Sequence, residues 1–212
     1  MLNVARSAPS NSNTQPWSVH VLEGEPKRLF SETLLRSHER DDLPPSQHFP
    51  AELPIACKPR QTEFGVRYYA ALGIDRDDAA ARYKQTGRNY RFFDAPVGLI
   101  FTIDERLTKH SWVDYGIFLQ TLMIAAKARG LDTCAQLSFV RHEPVINKFL
   151  RLPPGQTVVC GMSLGYADVG SKLNSLAMPR KPVEEFSVFW GFEQDAQETA
   201  ATEQTPHASS NA

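Results

Sequence analysis

The chain has 212 residues, with 23 Lys and Arg against 24 Asp and Glu and a formal net charge of −1. That length suits one domain with a sizeable core, and the charge balance offers no basic field for nucleic acid or an anionic membrane surface. Cys57, Cys134 and Cys160 are scattered, odd in number and form no CxxC pair, which argues against a disulfide framework and for a reducing, cytoplasmic setting.

No His stands at a metal-ligand spacing from another ligand type, so no metal site is expected. No signal-peptide pattern and no bilayer-length apolar run is present, so no membrane partner is expected.

In chain order, Leu2, Val4, Ala5 and Ala8 have helical spacing with no cap before them, as though the chain began inside a helix. Ser10-Asn11-Ser12-Asn13-Thr14-Gln15 packs six hydrogen-bonding side chains between Pro9 and Pro16. Trp17, Val19 and Val21 then alternate with polar residues, the pattern of a half-buried strand. A polar loop held against a strand can grip a ligand rich in carbonyls and ring nitrogens. Pro26 opens a short amphipathic helix carrying Leu29, Phe30, Leu34 and Leu35. Residues 39–60 are rich in Pro and charge and hold no period, so an irregular excursion is expected. Residues 62–73 and 76–85 read as helices broken at Gly73 and Gly87, with Asp75 and Asp78 capping the second.

Val97–Ile103 is short, apolar and β-rich, the mark of a buried strand. Trp112–Ala128 is apolar almost all round, with Ser111 and Asp114 set as a capping box before it and Gly130 to stop it. Such a helix belongs in a core or a subunit interface. Pro144 opens a helix bearing Val145, Phe149 and Leu152, and residues 158–164 read as a strand. A single domain over 1–193 is expected, with a disordered, apolar-poor tail over 194–212. Strands and helices mix without a βαβ rhythm, so the fold class is α+β.

Gly161-Met162-Ser163-Leu164-Gly165 spells GxSxG, the nucleophile-elbow pattern of serine hydrolases. The elbow needs a helix after the serine and a later histidine; a Pro-rich segment follows, and only His207 lies downstream. The small residues read better as room for a close neighbour beside a strand. His142-Glu143 before Pro144 reads as a helix start. No GxGxxG follows a strand and no GxxxxGK[ST] is present, so a nucleotide cofactor needs another device.

Five segments in order carry a family resemblance: the loop Ser10–Trp17, Asn89–Pro96, Gly130–Phe139, Val158–Tyr166 and Asn174–Pro182. Together they resemble the FMN-dependent nitroreductases, whose signature loop reads SxNxQPW. The resemblance implies a mixed, mainly antiparallel sheet wrapped by helices, an intertwined homodimer, and two interfacial FMN sites. It implies ping-pong turnover: NAD(P)H reduces FMN, and a nitroaromatic, quinone or similar flat acceptor takes the electrons. By the same resemblance Ser10, Asn11 and Asn13 bind the flavin from the partner subunit. Gln136, Leu137 and Ser138 run along the ring edge with a main-chain N–H at N5. Arg180 binds the phosphate, and Arg88, Asn89 and Arg91 contact the pyrimidine side or ribityl chain. The flavin carries the chemistry, and no catalytic side chain is expected. The family's basic segment upstream of the loop is not matched, which implies a truncated start or a catalytically impaired flavin-binding remnant.

Overall fold

The computed structural model describes residues 1–41, 43–44 and 50–191. The expected tail over 194–212, and part of the 39–60 excursion, lie outside the described residues. The chain divides into two compact units, Met1–Leu176 and one beginning at Ala177.

The first unit runs α1 (Leu2–Ala5), β1 (Ser18–Glu23), α2 (Gly24–Arg40), α3 (Lys58–Leu72), α4 (Ala79–Gly87), β2 (Val97–Asp104), α5 (Lys109–Lys127), β3 (Asp132–Gln136), α6 (Glu143–Leu150) and β4 (Gln156–Gly165), with 3-10 turns between. The four strands form one sheet in the order β1-β2-β4-β3, and every pairing is antiparallel. β2 and β4 are central. That explains the largely apolar run of β2: a strand buried on both faces has no solvent side to present, and its one buried hydroxyl, Thr102, is paired with Gln156 Oε1 at 3.0 Å. Leu99, Phe101 and Ile103 face one layer, with Tyr115, Phe118 and Leu122 of α5. Ile100 faces the other, with Phe30 and Leu34 of α2, Phe92, Phe139 and Ile146 of α6.

The expected strands at 97–103 and 158–164 and the helix stop at Gly130, where φ is +71°, are all present. Asp78 caps α4 by accepting from the Ala81 N–H at 2.8 Å. Several expectations need correction. α2 is 17 residues long, not short, and reaches Arg40. Its exposed Arg28 bridges Glu25 and Glu32, support that isolated apolar spacing does not reveal. α3 begins at Lys58, within the stretch read as irregular, and buries no residue. β3 lies within the Gly130–Phe139 segment, for which no strand was expected. Val21 is 51% exposed, while Leu22 turns into the core.

α5 resolves the all-apolar helix into two faces. Tyr115, Phe118, Leu122, Ala125 and Ala126 are buried against the sheet. Val113, Ile117 and Ile124, on the outer side, are 60%, 38% and 60% exposed. No described helix is long and apolar enough to cross a membrane.

Two buried protons tie stability to alkaline pH. Burial pushes the Cys160 thiol from 9.0 up to about 12 and the Tyr90 phenol from 10.0 up to about 12. The folded chain therefore holds these protons more tightly than the unfolded chain does. Their contribution is intact below pH 9 and falls as pH rises from 9 through about 12. Urea midpoints should drop steadily between pH 9 and 11; a flat profile would contradict this burial.

Candidate cofactor site

The Ser10–Gln15 loop holds a conformation that side chains resist. Ser12, Asn13 and Gln15 have φ of 51°, 57° and 47°, in the left-handed region where non-glycine residues are uncommon. Its anchors are specific. The Asn11 N–H donates to Asp114 Oδ2 of α5 at 3.0 Å, and the Gln15 N–H donates to Ser10 Oγ at 3.0 Å. Gln15 Nε2 donates to the Asn13 carbonyl at 3.3 Å and to Asn13 Oδ1 at 3.2 Å. Trp17 stacks on Phe118 with centroids 4.7 Å apart. These bonds fix the loop's polarity. Ser10 Oγ and Asn13 Oδ1 already accept, so the Ser10 hydroxyl proton and the Asn13 amide N–H groups are what the loop offers outward. A donor array suits carbonyl and phosphoryl oxygens.

The capping box expected at Ser111 and Asp114 is not formed. The helix starts at Lys109 after Thr108, with no side-chain cap. Ser111 is buried, and Asp114 serves the loop instead. Asp114→Ala removes the acceptor and releases a strained loop. We expect cofactor affinity to fall about tenfold, the effect of roughly one charge-assisted hydrogen bond. Asp114→Asn, which keeps an acceptor, should retain most of it. Equal losses in both variants, measured by fluorescence titration, would show that the bond is not what matters.

A second group assembles at the end of β3, on the other face of the sheet. Gln136 is 3% exposed. Its Nε2 donates to the Asn89 carbonyl at 2.9 Å and to Asn89 Oδ1 at 3.2 Å. Its Oε1 accepts from the Ser163 hydroxyl at 2.6 Å. Asn89 Nδ2 donates to the Thr86 carbonyl at 3.0 Å, so the Asn89 amide is engaged within the protein at both ends. Tyr90 Oη donates to the Ser138 carbonyl at 3.4 Å. Leu137 begins a 3-10 turn, Leu137–His142, and is 51% exposed. The first N–H groups of such a turn are not used by the turn itself. Arg88 and Arg91 reach Asp94 at 3.5 and 2.7 Å and are half exposed.

The glycines of GxSxG are explained by packing. A Cβ on Gly161 would lie 2.3 Å from the Phe139 ring, and one on Gly165 would lie 2.6 Å from Pro96. Ser163 sits within β4, is 5% exposed and donates to an amide rather than to a base. A nucleophile elbow is absent from this strand. A fluorophosphonate probe should leave Ser163 unlabelled; stoichiometric labelling would overturn this assignment.

Arg180 lies in the second unit. Its Nη1 donates to the carbonyls of Met178 at 3.0 Å and Pro179 at 3.2 Å. His142, read as part of a helix start, precedes α6, with Nδ1 3.2 Å from Ser37 Oγ. Glu143 accepts from the Thr157 hydroxyl at 2.7 Å and the Val158 N–H at 2.8 Å, which pins α6 to β4.

The structure therefore brings Asn89, Gln136 and Ser138 together and holds Ser10, Asn11 and Asn13 elsewhere. The loop enters β1, at one edge of the sheet, and is bonded to α5 on one face. Gln136 ends β3, at the opposite edge. Three strand spacings separate these edges, about 14 Å. Two supporting residues carry roles that the sequence does not reveal: Asp114, whose spacing is that of a cap, and Ser163, which reads as a nucleophile candidate or as a small residue leaving room beside a strand.

The chain belongs to the nitroreductase family: the model described as "Nitroreductase family" matches residues 1–166. It is 51% identical over 193 residues to a 4-nitrobenzoate reductase of Pseudomonas putida, covering 91% of this chain and 85% of that one. It is 43% identical over 192 residues to a nitrobenzene nitroreductase of Ectopseudomonas oleovorans, covering 89% and 85%. Its structure is similar to that of the FMN-dependent nitroreductase NfnB from Mycobacterium smegmatis in complex with NADPH, with a TM-score of 0.84, 30% identity and coverage of 89% and 85%. The serine hydrolase reading finds no support in these relatives.

Proposed function

We propose that the chain is an NAD(P)H-dependent FMN nitroreductase, working as a homodimer whose two sites are each shared between subunits. The observation that carries this reading is the placement, at opposite edges of one sheet, of the donor-bearing Ser10–Asn13 loop and of the β3 end, where the first main-chain N–H groups of the Leu137–His142 turn are not used by the turn itself. A ring ligand that needs both takes the β3-end group from one chain and the Ser10–Asn13 loop from a second copy. The exposed apolar stripe of α5 supplies a surface for that copy. The donor chemistry fits FMN, which carries ring carbonyls, ribityl hydroxyls and a phosphate.

FMN, when bound, supplies the redox chemistry, taking a hydride from NAD(P)H and passing electrons to the acceptor in a ping-pong cycle. The protein's part is to bind and orient. Ser10, Asn11 and Asn13 offer donors to the ring oxygens. A main-chain N–H of the Gln136–Ser138 run donates at N5, where negative charge grows on reduction. Arg180 pairs with the phosphate through its planar fork. Arg88 and Arg91 serve the pyrimidine or ribityl side, and Asn89 holds that segment in place through its own amide. No side chain acts as nucleophile or base. The name of the Pseudomonas putida relative makes 4-nitrobenzoate the first acceptor to try, with quinones next.

The test is the visible spectrum of the purified protein with FMN, recorded under argon. The oxidised-flavin bands should bleach with NADPH or NADH and return when 4-nitrobenzoate is added. A protein that takes up no FMN from excess would overturn the reading.

A further inference from the structure

We propose that Gln136 is a positioning residue: its buried amide braces the two flanks of the cofactor site against each other and sets the direction of the neighbouring main-chain donor. The inference rests on the FMN reading above. The amide uses its acceptor and both donors on two stretches of chain that are far from each other in sequence. Oε1 takes the Ser163 proton from β4, and Nε2 grips Asn89 by its carbonyl and its Oδ1. Leu137, whose N–H lies in the run that faces the flavin, is bonded to Gln136 through one peptide. The angle at which Gln136 is held therefore fixes where that N–H points. The contact from Tyr90 to the Ser138 carbonyl is a second, longer tie between the same two flanks.

The residue type follows from the geometry. A buried amide is tolerated only when its polar atoms are paired, and here they are. Glu keeps the acceptor for Ser163 but loses both donors to Asn89. Met keeps the length and loses every bond. Asn is one methylene too short to span from β3 to the Asn89 segment. Ser163 thereby acquires a role: the Asn89 carbonyl, which can only accept, turns Nε2 toward Asn89, and the Ser163 hydroxyl donates to the Oε1 that then faces β4 and holds the amide there.

The test compares wild type, Gln136→Met, Gln136→Glu and Ser163→Ala. Amide hydrogen exchange on the FMN-free protein reads the brace directly, at residues 88–94 and 137–139. Gln136→Met should speed exchange at both stretches about tenfold, the factor carried by roughly one net hydrogen bond. With FMN bound, it should lower the rate of flavin reduction at saturating NADPH by a similar factor, while KM for NADPH changes little. That split separates positioning from a general loss of binding. Ser163→Ala keeps both bonds to Asn89 and should show the same pattern, weaker. It serves as the decisive variant if Gln136→Met fails to fold. Unchanged exchange and unchanged reduction rate in the folded variants would overturn the proposal. If exchange responds as expected but wild type takes up no FMN, the brace stands and the flavin reading fails.

Discussion

Replacing Ile124 and Val113 together by Glu should convert the proposed homodimer into a folded monomer that binds no FMN. Both side chains are 60% exposed in the single chain. In a protein that works alone, charges at such positions change stability by only about 0.5 kcal/mol. In the proposed dimer the same positions are covered. Burying each aliphatic side chain there contributes about 1.5–3 kcal/mol at full burial. A carboxylate forfeits that gain and adds an unpaired buried charge. Positions 113, 117, 120 and 124 fall on one stripe of α5, so the two charges disrupt a single continuous surface. The Ser10–Asn13 loop of a second copy leaves with it, which is why cofactor should be lost together with the dimer. Sedimentation velocity with flavin absorbance reads both at once. A dimer that persists, or a monomer that keeps FMN, would show that this stripe is not the subunit contact.

Arg180→Ala should weaken FMN binding tenfold to a hundredfold and riboflavin binding far less. A charge-assisted pair with a phosphate contributes about 1.5–3 kcal/mol, and each 1.4 kcal/mol is about tenfold in affinity. The guanidinium donates to the Met178 and Pro179 carbonyls through Nη1. Five N–H donors are available to an arginine, so Nη2 and Nε can still present a fork to an anion. Riboflavin lacks the phosphate and serves as the internal control. Equal losses for both flavins would show that Arg180 does not meet the phosphate.

The parts of the fold that could be read from sequence are those where burial imposes a period. β2 and β4 are central strands and read as apolar runs, and the ends of α5 are marked by Ser111 and Gly130 to within a few residues. β3 was illegible for a physical reason. It is a five-residue edge strand, Asp-Thr-Cys-Ala-Gln, with only Gln136 buried, so no alternation marks it. α3 buries nothing, and its start inside a Pro-rich stretch carries no apolar signal. Val21 follows the alternation begun at Trp17 yet is exposed, because β1 is also an edge strand and its two faces are covered unequally.

The family motif names its candidate residues directly in the sequence, whereas a side chain that acts on another side chain leaves no local signal. Asp114 sits three residues after Ser111, as a capping residue would. Its bond to Asn11 crosses 103 positions, and local spacing cannot distinguish the two uses. The GxSxG pattern likewise reports two close packings and one hydrogen bond to Gln136, none of them visible as chemistry in the sequence.

The claim that each site is built from two chains is tested most directly by complementation between two inactive variants. One carries Ser10→Ala with Asn13→Ala, which removes the loop donors. The other carries Leu137→Pro, which removes a main-chain N–H at the first residue of a turn, where proline is tolerated. Each is expected to lose flavin reduction as a homodimer. Co-expressed with separate tags and purified as a mixed dimer, they place both lesions in one site and none in the other. A site shared between chains predicts about half of wild-type FMN content and NADPH-driven reduction of 4-nitrobenzoate in the mixed dimer. A mixed dimer as inactive as its parents would place both groups in the same site of one chain and contradict the account.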